Sequence, residues 1–349
     1  MDSTFKNELF KYYPHLNLGS HEKGDRMFDD TIFRIKNLTL RKILALFLVC
    51  GRAEYFAADM LPFWMGVFLG ISLLNPTNLH QYVVEEGYMV LYAMMAVVCA
   101  HYVAVWSNNL GDYDLDKAFK SPLSDSIDLI GRRKLWTYIL ILGVIGTFLI
   151  VCLSLLRNTL VYIILWAIGV GVALAYSCEP LRLKKYVIAN EITRGTPLVV
   201  LLPFGYFLII QNFSIPLTLY TLGLAVNLLG LFMIGEIWCC KDDKGYVNTA
   251  AVVCGYRFTL NLGILLIPLG IIVMMLGYSH VLSSSKYSIF YLVIHAIVSM
   301  IIMGILVKET LLKRNDYNAI EAKCGLFTKV GTTSIWVSAT IGLLITALF

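Results

Sequence analysis

Apolar residues fall in long runs along the chain, at 55–75, 87–108, 134–155, 159–177, 187–211, 215–238, 257–277, 287–307 and 327–348. Each run is about 18 to 25 residues, the length a helix rising about 1.5 Å per residue needs to cross a hydrocarbon core about 30 Å thick. No stretch alternates polar and apolar positions as a half-buried strand does. Spanning helices satisfy their own backbone hydrogen bonds, so the pattern predicts an all-α membrane protein of about nine transmembrane helices rather than a barrel. Ahead of the first run, residues 1–41 mix Lys, Arg, Asp and Glu with no apolar core. They are expected to form a polar cytoplasmic segment without a cleavable signal peptide, followed by a single transmembrane domain over 42–349.

Composition agrees with that reading: 58% of the residues are hydrophobic and 15% charged, too little polar surface for a water-soluble globule. Lys and Arg are retained on the cytoplasmic side. They gather before the first run (Arg34, Lys36, Arg41, Lys42), in 112–134, in 178–186 (Arg182, Lys184, Lys185), in 239–257 and in 307–329. Every second connection is therefore basic, as an odd number of spans with a cytoplasmic N-terminus requires. The net charge of +5 sits in these loops and implies no nucleic-acid partner. Eight cysteines are scattered through the apolar runs without metal-type pair spacing and read as small buried residues.

Two acidic segments carry the candidate chemistry. The second run ends in Asn108-Asn109-Leu110-Gly111-Asp112-Tyr113-Asp114-Leu115-Asp116. On a continuing helix Asn108, Asp112 and Asp116 recur every four residues and share a face, whereas Asp114 points elsewhere. Carboxylates one turn apart repel unless a hard cation bridges them, and Mg²⁺ accepts a few carboxylates together with waters and substrate phosphates. The alternative is a solvated helix end. The sixth run ends in Glu236, followed by Asp242 and Asp243, with Glu236 and Asp243 two helical turns apart. Both segments emerge on the cytoplasmic side, which suggests one site with two metal-binding walls. Between them lies the basic loop from Tyr176 to Lys185, whose cations suit a departing diphosphate as well as an ordinary inside-positive anchor.

Together these segments resemble the UbiA-type intramembrane prenyltransferases. Asn108, Asn109, Asp112 and Asp116 occupy the positions of that family's Asn-Asp-x-x-Asp-x-x-x-Asp signature, with Asn109 in place of an Asp. The loop Tyr176-Ser177-x-x-Pro180-Leu181-Arg182-Leu183-Lys184 matches its Tyr-Ser-x-x-Pro-Leu-Arg-Leu-Lys, and Glu191, Arg194 and Gly195 fit the run that follows. The resemblance implies helices ringed around a central cavity. It implies Mg²⁺ held by Asp112, Asp116, Glu236, Asp242 and Asp243. It also implies a diphosphate contacted by Asn108, Asn109, Tyr176, Arg182, Lys184 and Lys185. The substrate would be an isoprenyl diphosphate, farnesyl, geranylgeranyl or longer, with its tail among membrane lipids.

The second acidic segment departs from the family's Asp-x-x-x-Asp spacing, and Lys120-Ser121-Pro122 stands where an Arg-Pro is usual. Two reactions therefore stay open: transfer to an aromatic, quinone-precursor or lipid acceptor, and acceptor-free cyclisation. A non-catalytic binding protein or transporter on the same fold is a third reading. A transferase needs a polar acceptor anchor, for which Arg52 is the candidate, with snorkelling to the interface as its alternative. A cyclase needs aromatic walls, and Phe63, Trp64, Tyr92, Tyr102, Trp106, Trp166 and Trp238 are placed on the expected cavity helices. His101, seven residues before Asn108, is either a proton acceptor or a hydrogen-bonded structural histidine, and Pro62, Pro197 and Pro203 are expected to kink helices around a cavity.

Overall fold

A computed structural model describes residues 32–74, 79–118, 122–244, 247–279 and 317–348, together with a few positions between 294 and 308. The leader up to residue 31, most of the expected span at 287–307, and the side chains of Cys239, Asp242 and Asp243 lie outside the described residues. The described chain is helical without a strand. A short helix α1 (Leu38–Leu44) and one π-helical turn lead to a break at Gly51 and Arg52, where Arg52 has φ 48°. The path then runs through α2 (Ala53–Leu74), α3 (Leu79–Gly111), the short α4 (Tyr113–Ala118) and α5 (Pro122–Ile130), α6 (Arg132–Leu156) and α7 (Val161–Ser177). It continues through α8 (Val187–Phe207), α9 (Ile215–Asp243), α10 (Ala250–Val253), α11 (Tyr256–Ser279) and α12 (Tyr317–Leu348).

Six of these helices are long and apolar enough to cross a membrane: α2, α3, α6, α9, α11 and α12. Two more expected spans are helices that fall short of that standard. α7 has only 17 residues, and α8 begins with the polar residues Asn190, Glu191 and Arg194. Both helices line the site described below, and lining it is what makes the start of α8 polar. The outer face of α6 exposes Leu140, Val144, Phe148 and Leu155, a stripe that only lipid would tolerate.

Inside a bilayer, helices gain little from burying apolar surface against each other, so association relies on close packing at small residues. Two pairs show it. Between α9 and α11, a Cβ on Gly270 would stand 2.4 Å from the Asn227 nitrogen, and one on Gly230 would stand 2.9 Å from the Gly263 carbonyl oxygen. Between α2 and α8, a Cβ on Gly66 would meet the Leu202 carbonyl at 1.9 Å, and one on Gly205 the Phe63 carbonyl at 2.2 Å. α12 packs against both α2 and α9 and joins the two pairs. α3 packs on α6 and α7, and α7 on α8, which leaves a space between α2, α3, α7 and α8. Pro62, Pro197 and Pro203 all sit inside helices of this group. The seven described cysteines are all free thiols.

Replacing Gly270 by Leu is expected to destabilise the detergent-solubilised protein by about 1–3 kcal/mol, because two backbones must separate. The same change at Gly143, which has nothing within 4 Å of its Cβ position, should leave the thermal unfolding midpoint where it is. Equal midpoints for the two variants would contradict the close α9–α11 contact.

Candidate functional site

The first acidic segment keeps its helical register across the junction of α3 and α4. The Asp112 amide donates to the Asn108 carbonyl at 3.0 Å, and the Asp116 amide to the Asp112 carbonyl at 2.8 Å. Asn108 and Asp112 face the space between the helices, where Leu115 also lines the wall. Asp116, one turn on, is half-buried and is not among the lining residues. Asp114 points outward, with a side chain 78% exposed and 3.4 Å from Arg132. The helical junction is fixed from outside: Lys117 donates to Asp128 at 2.9 Å and to the Tyr113 hydroxyl, while the Arg132 guanidinium lies 3.4 Å over the Tyr113 ring. Hydrogen bonds that the Lys117 ammonium donates to Tyr113 and Asp128 hold it well above the ordinary lysine range.

The basic loop between α7 and α8 folds back onto this helix end. Its approach requires Gly111, where a Cβ would stand 2.6 Å from the Ser177 carbonyl oxygen. Lys184, 2% exposed, donates to Asp112 in a short ion pair and to Asn108 Oδ1 at 3.3 Å, and Ser177 donates to the same Asn108 oxygen at 3.1 Å. Arg182, in the left-handed region at φ 33°, reaches the Gly111 carbonyl at 3.0 Å and lies 3.7 Å from Asp112. Burial lowers the Lys184 pKa and the Asp112 charge opposes that shift, so the ammonium depends on its carboxylate partner. Lys185 turns to the surface and pairs with Glu179 at 2.7 Å, and that hydrogen bond holds the Glu179 carboxyl below the usual range.

Across the cavity, Glu236 is 1% exposed and accepts from Asn190 Nδ2 at 2.8 Å and from Arg194 at 3.2 Å. Glu191, one residue after Asn190, accepts from the Ala250 amide and ties α8 to α10. α9 stays helical from Ile215 through Asp243, seven residues past Glu236. Asp112 and Glu236 thus line one cavity of about 410 Å³, within the size range of small-molecule sites. Arg52, Asp59, His101, Tyr176, Lys184 and Arg194 are among the other polar residues of its wall, with Asn190, Ser177, Thr193 and Thr249, and the remainder of the lining is largely apolar.

Several of the expected site residues lie outside the cavity lining. Asn109 does not face the cavity: it is fully buried, donates to the Cys50 carbonyl at 2.7 Å and accepts from Arg52 at 3.0 Å. Those bonds clasp the break between α1 and α2, which explains why an amide stands at a position where the family signature has a carboxylate. Trp106 is likewise buried outside the cavity, donating to the Leu46 carbonyl at 3.2 Å. Arg182 and Lys185 flank the mouth without lining it. Of the seven aromatic residues placed on cavity helices, Trp166 alone lines the cavity, joined by Tyr176 and Phe204; Phe63 is core and Trp238 is exposed. Asp59 was missed. A carboxylate within an apolar span was its signal.

Mg²⁺ can be tested against the donors present. Among the described residues, no three His, Cys, Asp or Glu side chains cluster closely enough to hold a metal unaided. Mg²⁺ does not need three, because substrate phosphates and waters fill the rest of its shell. The hard oxygens of Asp112 and Asn108 already converge on one cation, the Lys184 ammonium, so the donor set fits.

The sequence profile described as the UbiA prenyltransferase family matches residues 60–327. The chain belongs to that family. No curated protein matches it. Among solved structures, one of digeranylgeranylglyceryl phosphate synthase superposes with a TM-score of 0.60 at 18% identity, covering 88% of this chain and 99% of that one. A UbiA homologue from Archaeoglobus fulgidus bound to GPP and Mg²⁺ gives 0.55 at 15% identity, over 85% and 99% of the two chains. A second structure of a UbiA homologue from that organism gives 0.57 at 13% identity, over 88% and 100%. At these identities the likeness is one of fold; the family match and the six apolar helices make the chain an integral, multi-pass membrane protein.

Asn109→Asp is expected to lower stability by about 1–3 kcal/mol, since a carboxylate cannot donate to the buried Cys50 carbonyl. It should not strengthen Mg²⁺ dependence, because the side chain faces away from the cavity. A midpoint equal to the parent's in thermal unfolding, with a lowered Mg²⁺ requirement, would reverse this assignment.

Proposed function

We propose that this protein is an Mg²⁺-dependent intramembrane prenyltransferase, one that ionises an allylic isoprenyl diphosphate and passes the prenyl group to an aromatic or lipid acceptor. The observation that carries the proposal is the meeting of Asn108, Asp112 and Lys184 at the polar end of an otherwise largely apolar cavity. Asp112 and Asp116 would hold Mg²⁺ from one side, with Glu236, Asp242 and Asp243 contributing from the other. When bound, the ion neutralises charge on the diphosphate. Lys184 and Arg182, already at Asp112, stabilise the same charge as the C–O bond breaks, while Asn108 and Tyr176 orient the head group. The apolar remainder of the cavity receives the isoprenoid tail. The basic loops favour the cytoplasmic face for this end of the cavity, and 1–41 would be a polar leader to the domain over 42–349.

Transfer is favoured over cyclisation by Arg52. It lines the cavity, where its guanidinium suits an anionic acceptor group. Only three aromatic side chains, Trp166, Tyr176 and Phe204, are found among the described lining residues, a thin wall for a cyclase.

Purified protein should release pyrophosphate from farnesyl or geranylgeranyl diphosphate with Mg²⁺, and lose that activity in chelator. Asp112→Ala should lower release at least about 10²-fold. Product analysis by mass spectrometry decides the reaction type. A prenylated acceptor supports transfer, a cyclic hydrocarbon formed without acceptor replaces it with cyclisation, and an unaffected Asp112→Ala variant removes the proposal altogether.

A further inference from the structure

A second polar constellation lies deeper in the cavity and is used by none of the diphosphate chemistry. His101 is seven residues before Asn108 on α3, roughly 10 Å along the helix axis. Its Nε2 is 3.1 Å from the Gly51 carbonyl, and its Nδ1 is 3.3 Å from Asp59 Oδ2 on α2. Phe56 and Tyr102 set their rings edge-on to the imidazole at 5.0 and 5.4 Å and fix its plane. A carbonyl only accepts, so Nε2 carries a hydrogen. The contact between Nδ1 and Oδ2 then orients the Asp59 carboxylate. Both residues line the cavity, so the carboxylate is presented to it.

We propose that Asp59, positioned by His101, is the residue that takes the proton released when the acceptor is prenylated; this rests on the transferase reading above. In the step, the C1–O bond of the prenyl diphosphate breaks and its electron pair leaves with the diphosphate. The acceptor's nucleophilic atom, a hydroxyl oxygen or an electron-rich ring carbon, forms the bond to C1 with its own electron pair. The proton on that atom, acidified by the positive charge the atom acquires, passes to Asp59. A carboxylate is a sufficient base for so acidic a proton. His101 stands about 10 Å along α3 from Asn108 with Asp59 beside it, which leaves room for the reacting carbon and the nucleophile. A carboxylate inside a membrane span with no such task would be an expensive way to hold one histidine.

The test reads partition as well as rate. The full-length protein in detergent is given Mg²⁺, geranylgeranyl diphosphate and one of two probes that pair a nucleophile with an anionic group: 4-hydroxybenzoate, or a glycerol monoether phosphate lipid. The ratio of prenylated probe to prenyl alcohol is then measured. Asp59→Asn is expected to lower that ratio about 10²-fold, because the cation still forms but water captures it. Asp59→Glu should restore much of the ratio, and His101→Gln should lower it by a smaller factor. The probe that is prenylated by the parent protein identifies the acceptor source. An Asp59→Asn variant with the parent's ratio overturns the proposal, whether its total rate is preserved or reduced, since a structural defect lowers both products together. A parent protein that releases prenyl alcohol but prenylates neither probe defeats the transferase reading itself, and the proposal with it.

Discussion

The ion pair between Lys184 and Asp112 organises everything around it. An ammonium with 2% of its surface exposed cannot stay charged in a largely apolar surround without a carboxylate and further oxygen acceptors. Supplying them brings the end of α3, the end of α7 and the loop before α8 to one point. The loop reaches that point only because Gly111 lets the Ser177 carbonyl pass, and because Arg182 takes a left-handed turn and anchors on the Gly111 carbonyl. The elements that carry the acidic motif and the basic loop are thereby joined in one polar mouth.

The bilayer imposes the complementary constraint. Polar side chains are expensive at membrane depth, and several of them here turn inward and hold one another. Arg52 and Asn109 clasp the helix break, Asp59 holds His101, and Arg194 with Asn190 holds Glu236. Around that interior the scaffold is kept close by glycines, α2 against α8 and α9 against α11, while leucine and valine on α6 face lipid. The cavity exists because α3 stands off from α2 and α8 while α7 packs on both α3 and α8, and polar residues from these helices then line the gap.

Much of this was legible in the sequence. Runs of apolar residues near bilayer length identify spanning helices directly, since membrane thickness and helical rise are fixed quantities. Six of the expected spans meet that standard, whereas α7 and α8 do not, one being short and the other polar where it lines the site. The four-residue spacing put Asn108 and Asp112 together and turned Asp114 away, because a helix preserves its register whatever surrounds it. The loop from Tyr176 to Lys185 was recognisable by composition, but its division of labour was not. Lys184 is buried at the acid and Lys185 pairs with Glu179 at the surface.

Sequence alone thus determined the class of fold, the family and the first acidic face, all of which follow from local periodicity and motif spacing. Tertiary structure decided which polar groups share a cavity. Asn109 belongs to a helix joint, Trp106 to the core, and Asp59 to the cavity through a partner 42 residues away on another helix. Such pairings depend on how helices rotate and approach one another. That geometry is set by glycine contacts and buried charges between segments far apart in the chain, so no local pattern encodes it.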